Sequence, residues 1–235
     1  MSSPSRAATR SKHKSAPRER ILQAARELFY RDGINGVSVD AIAAAAGTNK
    51  MTLYRHFSSK DELVAAYLSE LAAEGEGIWE EARTRYPGDA DAQLRYLLRQ
   101  VSQWANESSA RGCALANAAV ELAAPEHPGR RLVEAHKSRQ RERLVALVRE
   151  AGYARPERVA DELFLLVEGA RVTLQSVGPE GPGARLYALA CELLDSMPRK
   201  KAGRYSSKTG ETAARHRSAS RPGGAPKRRA YSRLN

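Results

Sequence analysis

Asn49, Lys50, Thr52, Tyr54, Arg55, His56 and Lys60 fall within one short run of the chain, and Ser38 lies a little upstream. Amides, cations, hydroxyls and an imidazole gathered so closely suit phosphate oxygens and the edges of base pairs. A second run, Arg111-Gly112-Cys113-Ala114-Leu115-Ala116-Asn117, sets a thiol near a guanidinium. That arrangement favours a reactive thiolate if the side chains meet, and a helix starting at Cys113 would add to it; the plain alternative is a small buried hydrophobe. Catalytic constellations are otherwise hard to find. There is no Gly-rich phosphate loop, and His127 and His136 stand nine residues apart near Arg130 and Arg131, a poor metal neighbourhood. The reading is therefore no enzyme, with no catalytic residue, no metal site and no cofactor.

The elements that must carry these residues are helical throughout. Ile21, Ala25, Leu28 and Phe29 recur at helical spacing, with Pro17 near the start and Gly33 past the end. Ser38 is a good N-cap for a short helix with Val39, Ile42, Ala43 and Ala46 on one face, broken by Gly47. The spacing predicts a third helix from about Thr48 to His56, burying Leu53 and Phe57. A fourth opens at a capping box in which Ser59 and Glu62 satisfy each other's amides. Residues 38–57 thus have the dimensions of a helix-turn-helix, with the second helix free to enter a major groove.

Further on, Leu94, Leu97, Leu98 and Val101 mark a helix after Pro87-Gly88. Leu115, Ala119 and Leu122 mark a shorter one, and Leu144, Leu147 and Val148 close a long charged helix near Gly152. Two apolar stripes follow, Val159 to Leu174 and Leu186 to Met197, separated by the Gly/Pro-rich stretch 178–183. No alternating strand pattern and no repeat is present. The fold class predicted is all-α, with about nine helices.

The net charge of +12 is unevenly spread. Residues 1–20 hold six Lys/Arg against one Glu, and residues 198–235 hold twelve against one. The intervening body is left mildly acidic. Residues 1–17 and 198–235 are Ser/Arg/Lys/Pro/Gly-rich and read as a basic arm and a basic tail without a core of their own. Beside a DNA-binding module such tails attract phosphate. They also raise an alternative, a non-specific DNA-coating protein. No stretch has the length and apolarity of a membrane span, and no apolar segment follows the N-terminal cations as in a secretory signal. Two widely spaced cysteines suggest no disulfide framework. A cytoplasmic protein is expected.

Certain residues carry a resemblance. From Arg18 to Leu68 the chain presents Ile21-Leu22-Gln23-Ala24-Ala25 through Leu28-Phe29, Gly33, Gly36, Ser38, Ile42-Ala43 and Gly47. Lys50-Met51-Thr52-Leu53-Tyr54-Arg55-His56-Phe57 and Lys60-Asp61-Glu62-Leu63 follow. This stretch strongly resembles the tetracycline-repressor (TetR) family of bacterial regulators, departing from it at Thr48 and Met51. The resemblance implies an arm (1–17), a helix-turn-helix domain (18–68), a helical ligand-binding and dimerisation domain (69–197) and a tail (198–235). It implies that Ser38, Thr52, Tyr54, His56 and Lys60 hold the DNA backbone, with Arg55 on the same face, and that Asn49 and Lys50 read bases. Met51 either reaches a thymine methyl or fills a gap in packing.

The same resemblance implies a homodimer through 156–177 and 183–197 on a palindromic DNA operator, most members being repressors. The bland reading of the two stripes is that they build only the monomer core. An unknown small-molecule effector is expected between the middle helices, with Tyr67, Trp79, Tyr96, Trp104, Leu115, Asn117 and Phe164 as candidate contacts. The Gly-Cys segment at 112–113 is similar to one in members that sense electrophiles through cysteine.

Overall fold

A computed structural model describes residues 16–107 and 112–200, with side chains left undescribed at 105–107. Among these residues there are ten α-helices, one 3-10 turn, no strand, and a single isolated antiparallel bridge between Tyr153 and Arg199.

The first four helices follow from local chemistry. Helix α1 (Pro17–Asp32) starts with Pro17 in its first turn, where a missing N–H costs nothing, and buries Ile21, Leu22, Ala24, Ala25 and Phe29. It stops at Gly33, whose φ of +85° is a conformation that side chains other than glycine resist. Helix α2 (Val39–Ala45) is capped by Ser38, whose Oγ accepts from Ala41 N at 3.1 Å. Gly47 turns the chain at φ +61°; a Cβ there would meet nothing within 4 Å, so backbone conformation alone favours glycine.

Helix α3 (Lys50–His56) begins two residues later than Thr48, because Asn49 is its cap: Asn49 Oδ1 accepts from Thr52 N at 2.9 Å. Helix α4 (Lys60–Glu74) shows half of the expected capping box. Ser59 Oγ accepts from Glu62 N at 3.1 Å, but the Glu62 carboxylate reaches past Ser59 to the backbone N and hydroxyl of Ser58, both at 2.6 Å.

The second half contains α5 (Gly77–Arg85), α6 (Ala90–Glu107), α7 (Ala114–Glu121), α8 (Pro128–Glu150), α9 (Pro156–Val177) and α10 (Leu186–Ser196). A 3-10 turn at Pro182–Arg185 precedes α10. Helix α5 is the one that the sequence pattern did not single out. Ala82 is its one buried residue, so it carries no apolar stripe.

Two apolar cores organise these helices. The first joins Ile21, Phe29, Ile42, Leu53, Phe57, Leu63 and Leu68 to Cys113, Leu115, Leu122 and Val133, so α7 and the start of α8 pack into the head. Gly129 makes this approach possible: a Cβ there would lie 3.0 Å from both Leu122 Cδ1 and Leu68 Cδ1. The second core gathers Leu94, Leu98, Val148, Tyr153, Val159, Leu163, Ala190 and Leu194. The long α8 reaches both, with Val133 in one and Val145, Leu147 and Val148 in the other. Its charged flank is laced to α9 by Arg141–Asp161 and Lys137–Glu168.

The apolar stripes of α9 and α10 turn largely inward. Val159, Leu163 and Ala170, with Leu186, Ala190 and Leu194, are buried within the protomer. The outer face of α9 is a different one, with Leu165 at 70% and Val172 at 58% exposure and exposed Gly169 between them.

Candidate nucleic-acid interface and interior cavity

Helix α3 is divided sharply between core and surface. Leu53 is fully buried, and Phe57 just beyond the helix is nearly so. Lys50, Met51, Tyr54 and Arg55 are exposed, and Thr52 and His56 are partly so. Met51 is 78% exposed, which removes packing as its role and leaves it on the outward face. Two long-range contacts brace the pair of helices. Arg20 Nε donates to Ala46 O at 3.2 Å, tying α1 to the end of α2, and the Arg18 guanidinium lies over the Phe57 ring at 5.0 Å.

The polar groups here differ in their present engagement. Asn49 Oδ1 and Ser38 Oγ each accept from a helix amide, which holds them at the first turns of α3 and α2. A capping serine keeps its hydroxyl proton to donate. Lys50 Nζ pairs with Asp40 Oδ2 at 3.2 Å, both side chains being more than half exposed. Such a surface pair contributes little and exchanges readily for a phosphate. His56 Nε2 is buried without a hydrogen-bond partner. Lys60, partly exposed, opens α4.

A cavity of about 870 Å³ lies behind the head. Its walls come from α1 (Arg26, Tyr30), α4 (Tyr67), α6 (Leu98, Trp104), the start of α7 (Cys113, Leu115), α8 (His136, Lys137) and α9 (Phe164, Arg171). Burial pushes the Tyr67 hydroxyl up to about 12, so it stays protonated and able to donate. Arg26 and Glu74 are ion-paired, linking α1 to α4 at one rim. Elsewhere on the wall Lys137 Nζ and Arg171 Nη1 meet the same oxygen, Glu168 Oε1, at 2.7 and 2.9 Å. Arg171 Nη1 also lies 3.6 Å from Cys113 Sγ.

The description "Bacterial regulatory proteins, tetR family" matches residues 21–67. The chain is 35% identical over 85 residues to the HTH-type transcriptional regulator AcrR of Shigella flexneri, covering 36% of this chain and 39% of that regulator. It is 42% identical over 55 residues to an HTH-type transcriptional repressor of Streptomyces coelicolor, covering 23% of this chain and 29% of that one. The sequence match thus spans well under half the length of these curated relatives. The structural match is far longer. A crystal structure of a TetR-family transcriptional regulator from Streptomyces coelicolor superposes with a TM-score of 0.70 at 32% identity, covering 76% of this chain and 95% of that one. This chain belongs to the TetR family.

In this TetR-family protein the residues expected on the reading surface do fall together. Ser38, Asn49, Lys50, Thr52, Tyr54, Arg55, His56 and Lys60 all lie on or just before α2, α3 and α4. The expected effector contacts divide. Tyr67, Trp79, Trp104, Leu115 and Phe164 line the cavity, as does Cys113. Tyr96 does not; it packs on Tyr86 with ring centroids 5.8 Å apart, under Arg85. Asn117 does not either, and Gln175 Nε2 approaches its Oδ1 at 3.4 Å. Arg111 lies outside the described residues, and the guanidinium that reaches Cys113 belongs to Arg171. Lys137, Glu168 and Arg171 escaped sequence reasoning because charged residues along a helix ordinarily mark a solvated face. A weak signal existed: Lys137 follows His136, whose helical position places it inward with Val133.

Proposed function

We propose that this protein is a ligand-responsive transcriptional repressor that binds a palindromic operator as a homodimer. The observation that carries the reading is helix α3, anchored by buried Leu53 and Phe57 while Lys50, Met51, Tyr54 and Arg55 stand outward. Thr52, Tyr54 and Lys60, with Ser38 at the cap of α2, fix the backbone. Asn49 and Lys50 face base edges, and Met51 offers a thymine methyl an apolar partner. His56 serves through its outer edge, since its Nε2 points inward. Repression is supported by the name of the Streptomyces coelicolor relative.

Dimerisation is assigned to the outer face of α9, where Leu165, Gly169 and Val172 form a small-and-apolar strip, together with α10. Two equal half-sites require such two-fold symmetry. The effector enters the cavity, whose walls include α1 and α4 of the head, so that filling it favours one disposition of the heads over another. Cys113, buried beside Arg171 on the cavity wall, gives electrophile sensing a physical route through the same space.

Selection of bound fragments from genomic DNA, followed by anisotropy titration at several salt concentrations, tests the proposal. A repressor holds a palindromic fragment at least about a thousandfold more tightly than random DNA. Equal affinity for both with a steep salt slope would make the protein a DNA-coating one instead.

A further inference from the structure

On the cavity wall two cations, Lys137 and Arg171, meet fewer carboxylates than would neutralise them among the described residues. Lys137 and Arg171 share a single carboxylate, Glu168, and both contact the same oxygen. The Lys137 and Arg171 side chains are only 17% and 13% exposed, so neither cation is offset by bulk water. Arg171 Nε is fully buried and has no hydrogen-bond partner among the described residues. A buried donor left unmade costs free energy, and a buried net charge costs more. Aromatic faces supply part of the compensation: Phe164 sits 5.9 Å from Lys137 Nζ, and Trp104 sits 5.8 Å from the Arg171 guanidinium. Ring faces do not replace an anion.

The remaining charges on the wall do not change this. Glu27, Glu74 and Glu81 are all exposed, and Glu74 is committed to Arg26. His136, buried on the same wall, is held below its ordinary range by burial and by the neighbouring cations Lys137, Arg139 and Arg171, against which only Glu76 pulls the other way. Its neutral form is thereby favoured. Much of the remaining wall is apolar, from Leu97 and Leu98 on α6 to Leu163 and Val167 on α9. A pocket of this size with one charged corner fits an apolar molecule bearing one anionic group.

We propose that the effector of this protein is a small apolar monocarboxylate, seated with its carboxylate on Lys137 and Arg171 and its body along α6 and α9. This rests on reading the cavity as the effector site. The carboxylate displaces or joins Glu168 at the two cations, and Arg is well suited to a planar anion.

Titration calorimetry on the full chain, with 2-naphthoate, 2-naphthamide and 2-naphthylmethylamine as shape-matched probes, tests the charge without any mutation. The acid is expected to bind at least about tenfold more tightly than the amide, and the amine not at all. Lys137→Gln and Arg171→Gln each remove most of that preference. Glu168→Gln strengthens binding of the acid, because it releases the cations from their present partner; a merely structural role for Glu168 predicts no gain. Val167→Trp, which fills the cavity, abolishes binding of every probe. If acid and amide bind equally and only Val167→Trp weakens them, the carboxylate proposal is overturned while the cavity stands as a ligand site. If no probe binds, or if Val167→Trp leaves binding unchanged, both the proposal and the cavity reading fall.

Discussion

Around helix α3, the hydrogen bonds of the outward polar groups join residues close in sequence, although Arg20 reaches Ala46 across 26 positions behind them. Ser38 caps onto Ala41, Asn49 onto Thr52, and Lys50 reaches Asp40 only ten residues away. Around the cavity distant partners are added to local ones: Arg171 meets Glu168 within one turn, but Lys137 meets Glu168 across 31 positions and Arg171 meets Cys113 across 58. A head assembled from local pairs presents one defined surface to a rigid partner, DNA. A cavity assembled from separate helices changes shape whenever those helices shift, which the proposed effector response would need. The two regions are nonetheless packed together, since α7 and the start of α8 belong to the head's core.

The largest expected effect tests that shared core. Leu53→Ala should destabilise the protein by about 2–5 kcal/mol, since Leu53 is fully buried. Because the same cluster contains Leu115, Leu122 and Val133, a denaturant titration should still show one transition. A separate early melt of the head would show that the contrast between the regions extends to independent folding.

Next comes the outward face of α3. Lys50→Ala and Arg55→Ala should each weaken DNA binding by roughly tenfold with little change in melting temperature. Each should also lower the slope of log affinity against log salt by about 1 if it loses a phosphate contact. A variant that weakens only one DNA sequence while keeping the slope would mark that residue as a base reader.

A smaller effect should appear where the regions are clasped. Asn35 N donates to Glu121 Oε2 at 3.1 Å, and Asn35 Nδ2 donates to Glu121 O at 3.0 Å, joining the loop after α1 to the end of α7. Glu121→Ala should cost about 0.5–1.5 kcal/mol. Asn35→Ala, which removes the second bond and leaves the first, should cost a similar amount and add to it; no loss from either change would mean the clasp holds nothing.

The smallest effect concerns pH. His136 is depressed by burial first and then by nearby cations, so the unfolded chain binds a proton where the folded one does not. Stability should therefore fall as pH drops below about 6.5, the ordinary imidazole value, until the folded group itself titrates. A His136→Gln variant should flatten that part of the stability-versus-pH curve. An unchanged curve would mean that the cavity wall does not feel the cations as described.

The contrast also explains what could be read in advance. Proline at the start of α1, glycine at its end, serine before α2 and the glycine between α2 and α3 are signals within a few residues of what they control. The helix-turn-helix was accordingly legible, with α3 starting two residues later because Asn49 is a capping side chain. Helix α5 was not legible, as a helix that buries only Ala82 leaves no periodic trace. The α9 stripe is divided: Val159, Leu163 and Ala170 face the protomer's own core, Leu166, Val167 and Leu174 are half-buried, and the exposed strip through Leu165 and Val172 is interrupted by polar residues in sequence.

By itself, then, the sequence determined the helical class, helix α3 and the identity of its outward side chains. These depend on period, caps and turn glycines, which act over one or two helical turns. Only the tertiary structure decided which of many helical charges are withdrawn from water. Whether Lys137, Glu168 and Arg171 form a solvated face or a charged corner depends on what α6, α7 and α9 place opposite them, and that information is carried by no single stretch of chain.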